Sequence, residues 1–402
     1  MHIYPDARSV VRALAPDEPV LLNRPHAAAR AARFFVEKFP GKSLYAVKAN
    51  PSPDLLRVLW DAGITHYDVA SITEVRMARA TLPQAVLCFM HPVKTSAAIR
   101  EAYHQHGVRT FSLDTEEELV KIVDACRASD GTPAADLKLL VRLRVSSEYS
   151  ELSLASKFGA DLVDAPALLQ ETRQHCDWLG VCFHVGSQAM TPFAYVQALE
   201  RVRAAIVEAS VLVDIIDVGG GFPSVYPGME PPPLEDYFAV IFRASESLPI
   251  SYSSELWCEP GRALSAEYSS LIVKVEKRRG DELYINDGAY GALYDAAHVE
   301  WRFPVRALED DLIEGEKDFA FYGPTCDDAD YMKGPFALPA DIQAGDYIEI
   351  GMLGAYGAAM KTTFNGFGAA EQIVVEDEPM ASLYRGDRAD PRGVADNVVS
   401  LR

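Results

Sequence analysis

The sequence predicts a (β/α)8 barrel followed by a mostly antiparallel β domain. Eight short apolar runs recur over about 240 residues, with amphipathic helical stretches between them. The first run is not followed by the Gly-x-Gly-x-x-Gly turn that would favour a doubly wound sheet, and the even count suits a closed barrel. After about residue 268 the helical patterning fades, and β-rich runs separated by turn residues take over. These changes of texture place the barrel at 24–268 and the β domain at 269–402, joined by residues 1–23.

The barrel runs are SLYAVK (43–48), ITHYDV (64–69), AVLCFM (85–90), RTFSLD (109–114), LKLLVRLRV (137–145), LGVCFHV (179–185), VDIIDVG (213–219) and SELWCEP (254–260). Stretches such as SITEVRMARATL and PFAYVQALERVRAAIVEA supply the intervening helices. The β domain reads from SSLIVKVEK, DELYIND, WRFPVRAL, DFAFYGP, GDYIEIG and EQIVVED, and EPVLLN near the N-terminus can add a strand. The tail RGDRADPRGVADN (385–397) is polar and reads as poorly ordered.

The chain has 402 residues, 49% of them hydrophobic, and a formal net charge of -20. That composition suits a large globular core, and the acidic surface argues against nucleic acid or an anionic membrane as a partner. Six cysteines form no Cys-x-x-Cys pair and sit mostly in apolar runs, which suits free thiols in a reducing compartment rather than a disulfide frame or a metal site. The N-terminus lacks an apolar signal region and no run is long enough to span a membrane, so the expected location is the cytoplasm.

In a barrel, chemistry comes from the C-terminal ends of the strands. Here those ends carry Lys48, Asp68, His91, Asp114, Arg144, His184, the Gly219-Gly220-Gly221 run, and Glu259 with Arg262. A single lysine at a strand end is often only a cap, but a complete ring of polar residues is hard to explain as solvent-facing decoration. An apolar lead-in would lower the preference of Lys48 for its charged form and leave an amine able to attack an aldehyde. The aldehyde expected is pyridoxal 5'-phosphate (PLP). Three successive glycines after the seventh strand offer backbone N–H groups to its phosphate. Glu259 after the eighth strand offers a carboxylate to its ring nitrogen.

The motifs YAVKAN, YDVASITE, KFG, FHVGSQ, DVGGGFP, EPGR, GPTCDDAD and GAYG stand in that order over roughly residues 20–385. In this the chain resembles the fold-type III PLP-dependent decarboxylases, the ornithine, lysine, arginine and diaminopimelate group, on an alanine-racemase-like barrel. The resemblance implies that Lys48 is the Schiff-base lysine, supported by Asp68 and Glu74. His184 then stacks on the ring, Arg144 lies near it, and Glu259 meets its nitrogen. Ser187, Gly219, Gly220, Gly221, Gly261, Arg262 and Tyr356 are implied as phosphate ligands. Cys326 is implied to reach into the site of a second copy and protonate the carbanion carbon, making a homodimer with shared active sites.

The resemblance also points to a substrate, a small cationic amino acid. Ornithine decarboxylases of the group hold the distal ammonium with one aspartate in a YD-x-AHV segment and one beside the cysteine, and Asp295 and Asp327 match both. Tyr294 adjoins the first. Buried cations need paired carboxylates, so two aspartates select a diamino acid. The likeness to ornithine decarboxylase implies ornithine converted to putrescine, a polyamine precursor. Lysine, differing by one methylene, and substituted diamino acids stay open. Arginine is disfavoured here because the group's arginine enzymes are much longer, and diaminopimelate because its enzymes carry glutamate after the cysteine. The connection from NDGAYG (286–291) to Tyr294 is short, which bears on how far Asp295 reaches. An amino-acid racemase on the same barrel would carry arginine in place of Glu259, and a non-catalytic homologue would lack the lysine, the glycines or the cysteine.

Overall fold

The computed structural model describes residues 3–154, 156–249, 253–312 and 315–384. The tail sequence at 385–397 lies outside them.

Eight parallel strands close into a barrel in sequence order: Lys42–Ala46, His66–Val69, Val86–Phe89, Thr110–Leu113, Lys138–Arg142, Trp178–Cys182, Ile215–Asp217 and Glu255–Cys258. The eighth pairs with the first through Trp257 opposite Lys42 and Cys258 opposite Ser43. Six of the strands lie inside the apolar runs and the first and sixth start one residue before theirs, because a strand covered on one side by helices and on the other by the barrel interior has no polar face. Leu44, Cys88, Met90, Leu140, Cys182, Ile215 and Trp257 pack together as a small core of their own. Free thiols therefore serve as small apolar side chains inside the barrel. Phe193–Ala209 shows how the outer helices fit: Tyr195, Leu199, Val202 and Ile206 are buried along one face.

The second core belongs to a nine-stranded sheet. Five of its eight strand pairings are antiparallel. Val20–Asn23 joins it, antiparallel to Ser269–Arg279 and parallel to Glu371–Val375. The strand from EPVLLN is thus part of this sheet. Where the chain enters the barrel, the guanidinium of Arg24, 2% exposed, donates to Glu349 at 2.8 Å and to Ser270 at 2.7 Å. Arg24 also pairs with Asp377 at 2.8 Å. A buried charge must be paired in this way, and the pairing ties the barrel to the sheet. Among the described residues no helix is long and apolar enough to cross a membrane.

Candidate active site

The first strand ends in a single 3-10 turn, Val47–Ala49, which presents Lys48 at the barrel mouth. That turn is held from two sides: Tyr356 N–H donates to the Ala49 carbonyl at 2.7 Å, and Asn50 Nδ2 donates to the Gly354 carbonyl at 2.8 Å. Gly261 is needed here, since a Cβ on it would stand 3.1 Å from Ala49 Cβ and 3.2 Å from Ala46 Cβ. Lys48 Nζ lies 2.7 Å from Asp68 Oδ2, at the end of the second strand. Burial pulls the Lys48 pKa down, but Asp68, Glu259 and Tyr356 outweigh it and the balance is upward. The expectation of a lysine weakened in its charged form by apolar surroundings is therefore corrected. The surroundings are acidic, and they hold an ammonium. Glu74 holds the neighbouring turn, its Oε2 accepting the Ala70 N–H at 2.7 Å, and the Lys48 charge also acts on its carboxyl.

His184 follows the sixth strand and is half-buried at the mouth. Its Nδ1 accepts the Gly186 N–H at 3.1 Å, so Nε2 carries the proton in the neutral ring. Burial, then Arg142 and Lys48, push its pKa well down, keeping the imidazole neutral. The three glycines run directly against this strand end. A Cβ on Gly219, whose φ is +66°, would stand 1.9 Å from the Phe183 carbonyl oxygen, and one on Gly220 would stand 2.9 Å from His184 Nε2. Only glycine allows the loop to pass so close.

Arg142, not Arg144, is the arginine of this site. Leu140 packs in the barrel interior, and Arg142 is the next residue on that face, at the last paired position of the fifth strand, opposite Cys182. Its charge acts on both His184 and Glu259. Arg144 lies past the strand end. Its N–H donates to the Ala160 carbonyl at 2.9 Å and its guanidinium turns to Asp161 at 3.4 Å, 41% exposed. His91 also stands at this rim, edge-on to Phe158 with centroids 5.1 Å apart. Asp114 is used by the backbone, accepting the Gly159 N–H at 2.8 Å.

Glu259, 8% exposed, closes the eighth strand beside Asp217 of the seventh. Burial, Asp217 and Asp68 together push the Glu259 carboxyl well up, and burial raises Asp217 to about 6. On the other side of the mouth the Arg262 guanidinium is stacked 4.0 Å above the Trp301 ring and 4.9 Å from Tyr356. It donates to Tyr226 at 3.0 Å and to Ser187 at 3.4 Å, and its Nη2 approaches Asp295 Oδ2 at 3.5 Å. The short connection before Asp295 still delivers it to the barrel. Asp287 accepts the Ala292 N–H at 2.8 Å, Asp330 accepts the Ala289 N–H at 2.7 Å, and a helix starts at once at Tyr294. Tyr294 itself lies against His298, the rings tilted by 48° with centroids 4.4 Å apart.

The second aspartate and the cysteine lie elsewhere. Cys326 and Asp327 are exposed and open onto a cavity of about 660 Å³ lined also by Asp17, Arg279, Tyr322 and Phe367. None of Lys48, His184, Glu259 or Asp295 lines it. Asp327 accepts from the Tyr290 hydroxyl, which holds its carboxyl below the usual range. Asp330, 1% exposed, is structural: its Oδ2 accepts both the N–H and the hydroxyl of Thr325. A single chain therefore gathers Lys48, Asp68, His184, Ser187, the glycines, Glu259, Arg262, Asp295 and Tyr356 about one mouth, and leaves Cys326 and Asp327 outside it. Arg142, Asp217, Tyr226 and Trp301 are additions that sequence reasoning missed. Asp217 stood inside a quoted motif, and Arg142 two residues from the arginine chosen.

This arrangement defines a barrel enzyme whose lysine, anion-binding loop and buried carboxyl converge on one small polar ligand. Comparison with known proteins gives the family. Residues 26–266 match the model described as pyridoxal-dependent decarboxylase, pyridoxal binding domain. The chain is 30% identical over 348 residues to a lysine/ornithine decarboxylase of Selenomonas ruminantium, covering 83% of this chain and 84% of that one. It is 32% identical over 378 residues to an ornithine decarboxylase of Cricetulus griseus, covering 87% and 79%. It belongs to the pyridoxal-dependent decarboxylases, and is a PLP-dependent amino-acid decarboxylase.

Solved structures agree. A lysine/ornithine decarboxylase of Vibrio vulnificus complexed with putrescine has a TM-score of 0.77 at 28% identity, covering 92% of this chain and 99% of that one. An arginine decarboxylase of Paramecium bursaria Chlorella virus bound to agmatine has a TM-score of 0.79 at 27% identity, covering 91% and 98%. The second finding overturns the length argument against arginine, because that enzyme is matched over nearly its whole chain. The residues present fit the cofactor: a lysine at the mouth, a glycine loop that any Cβ would obstruct, and a buried carboxyl pair opposite.

Proposed function

We propose that the protein decarboxylates a diamino acid, ornithine ahead of lysine. The observation that carries this reading is Asp295. Its side chain is 12% exposed and sits at the barrel mouth, where burial raises its pKa and only Arg262 opposes the shift. A carboxylate so placed favours a second cation, and the distal ammonium of a diamino acid supplies one. When bound, PLP supplies an electron sink for the pair that CO2 leaves on Cα. Lys48 Nζ anchors the cofactor, and Asp68 orients that amine. His184, neutral, covers the ring face. Ser187, Gly219, Gly220, Gly221, Gly261, Arg262 and Tyr356 receive the phosphate, and Glu259 meets the ring nitrogen. Cys326 Sγ returns a proton to Cα, and Asp327 stands beside it as the second carboxylate for the distal ammonium.

The last two roles need a second copy of the chain. Supporting this, Cys326 and Asp327 face a cavity that contains none of the barrel-mouth groups. The segment next to them exposes Met360, Phe364 and Phe367, each at least 40% accessible, and Phe364 lies against Tyr290, the donor to Asp327. An apolar and acidic surface beside an exposed thiol suits a symmetric contact.

Asp295→Ala and Asp327→Ala test the substrate. Each should raise KM for ornithine on the order of 10²-fold, since losing one partner of a buried charge pair costs about 2–5 kcal/mol. Turnover of amino acids lacking a distal amine should change little. Equal losses on every amino acid would make these aspartates structural and remove the diamino-acid reading.

A further inference from the structure

Two carboxyls stand at the base of the site, and the proposed roles use only one. Asp217 ends the seventh strand and is fully buried. Its Oδ1 accepts the Gly219 N–H at 2.8 Å. Its Oδ2 is buried without an N–H or O–H donor, and the group that faces the Asp217 carboxyl is the carboxyl of Glu259. Glu259 is held by the same glycine, its N–H donating to the Gly219 carbonyl at 2.8 Å. Gly219 thus holds the Asp217 side chain and the Glu259 backbone. Two ionised carboxylates are acceptors only, so this contact becomes a hydrogen bond when one proton lies between them.

We propose that Asp217 and Glu259 share one proton, and that Asp217 is the positioning residue that keeps the Glu259 carboxyl protonated and in place. Neighbouring charges suit this. Asp68 on the second strand opposes ionisation of both carboxyls, while Lys48 and, for Glu259, Arg142 favour it. The remaining close groups are neutral: His184 just past the sixth strand, and the thiols of Cys88, Cys182 and Cys258, which burial pushes up. A ring nitrogen set against Glu259 would then meet a proton donor rather than a bare carboxylate. That consequence rests on the PLP assignment, whereas the pair itself belongs to the cofactor-free chain.

The test uses the full-length chain freed of cofactor, with Asp217→Asn and Glu259→Gln, both isosteric. In infrared spectra at neutral pH, the C=O band of a protonated carboxylic acid should be lost by the same amount in either variant, because an amide in place of one acid donates to the other and lets it ionise. Persistence of that band in Asp217→Asn would overturn the proposal and reduce Asp217 to a cap on Gly219. Thermal unfolding against pH gives a second readout. A carboxyl raised to about 6 in the fold loses stability as pH climbs from the ordinary carboxylate range through that value. Asp217→Asn removes this loss, so its Tm relative to the parent should rise from pH about 4 to about 6 and level off above that. A Tm offset independent of pH would contradict proton sharing. Neither readout involves turnover, so failure here leaves the decarboxylase assignment standing, and failure of that assignment leaves this one testable.

Discussion

Lys48→Ala should leave a folded protein that no longer holds its cofactor covalently and turns over on the order of 10³-fold more slowly, the scale a positioned proton-transfer group contributes. The lysine belongs to the barrel mouth by construction. The 3-10 turn that carries it is pinned by Tyr356 and Asn50, and its amine is directed by Asp68 at 2.7 Å. Among the described residues the buried lysine is Lys94, which donates to the carbonyls of His91, Pro92 and Ser112 and cannot substitute. Truncation also leaves Asp68, 2% exposed, without its cation, so some loss of stability is expected. Borohydride treatment followed by mass measurement checks the prediction. A chain–cofactor adduct that survives in Lys48→Ala would place the anchor elsewhere.

Cys326→Ala should be nearly as damaging, and mixing it with Lys48→Ala should restore activity. In a symmetric pair each site takes Lys48 from one protomer and Cys326 from its partner. A mixed dimer then holds one site with both defects and one with neither. With random exchange half the dimers are mixed, so roughly a quarter of the sites should recover. If both residues served one site from one chain, every site would keep a defect. No recovery, with exchange confirmed by light labelling of one variant, would remove the shared site.

The barrel was legible because each strand is buried on both faces and so reads as an uninterrupted apolar run. Its edges were less so. The run at 137–145 continues to alternate beyond the last paired residue, Arg142, and Arg144 was chosen from that overrun. Local context also misled on Lys48. Its lead-in is apolar, but Asp68 and Glu259 arrive from the second and eighth strands, and such charges cannot be weighed from the flanking sequence. For the same reason Asp217 and Glu259 look independent, 42 positions apart, until strand pairing sets Asp217 opposite Trp257. The glycine run was readable as a phosphate loop, yet the need for glycine at 219 and 220 comes from Phe183 and His184 on another strand. Asp295 was readable as a binding residue, but its reach depended on a turn held by Asp287 and Asp330, whose neighbours the sequence does not display.

The most direct test of the account is to supply the PLP-loaded protein with ornithine, lysine and arginine in turn and to measure CO2 and the amine formed. The account predicts CO2 with putrescine from ornithine, slower release with cadaverine from lysine, and little agmatine from arginine. Release from none of the three, or faster release from arginine than from ornithine, would contradict it.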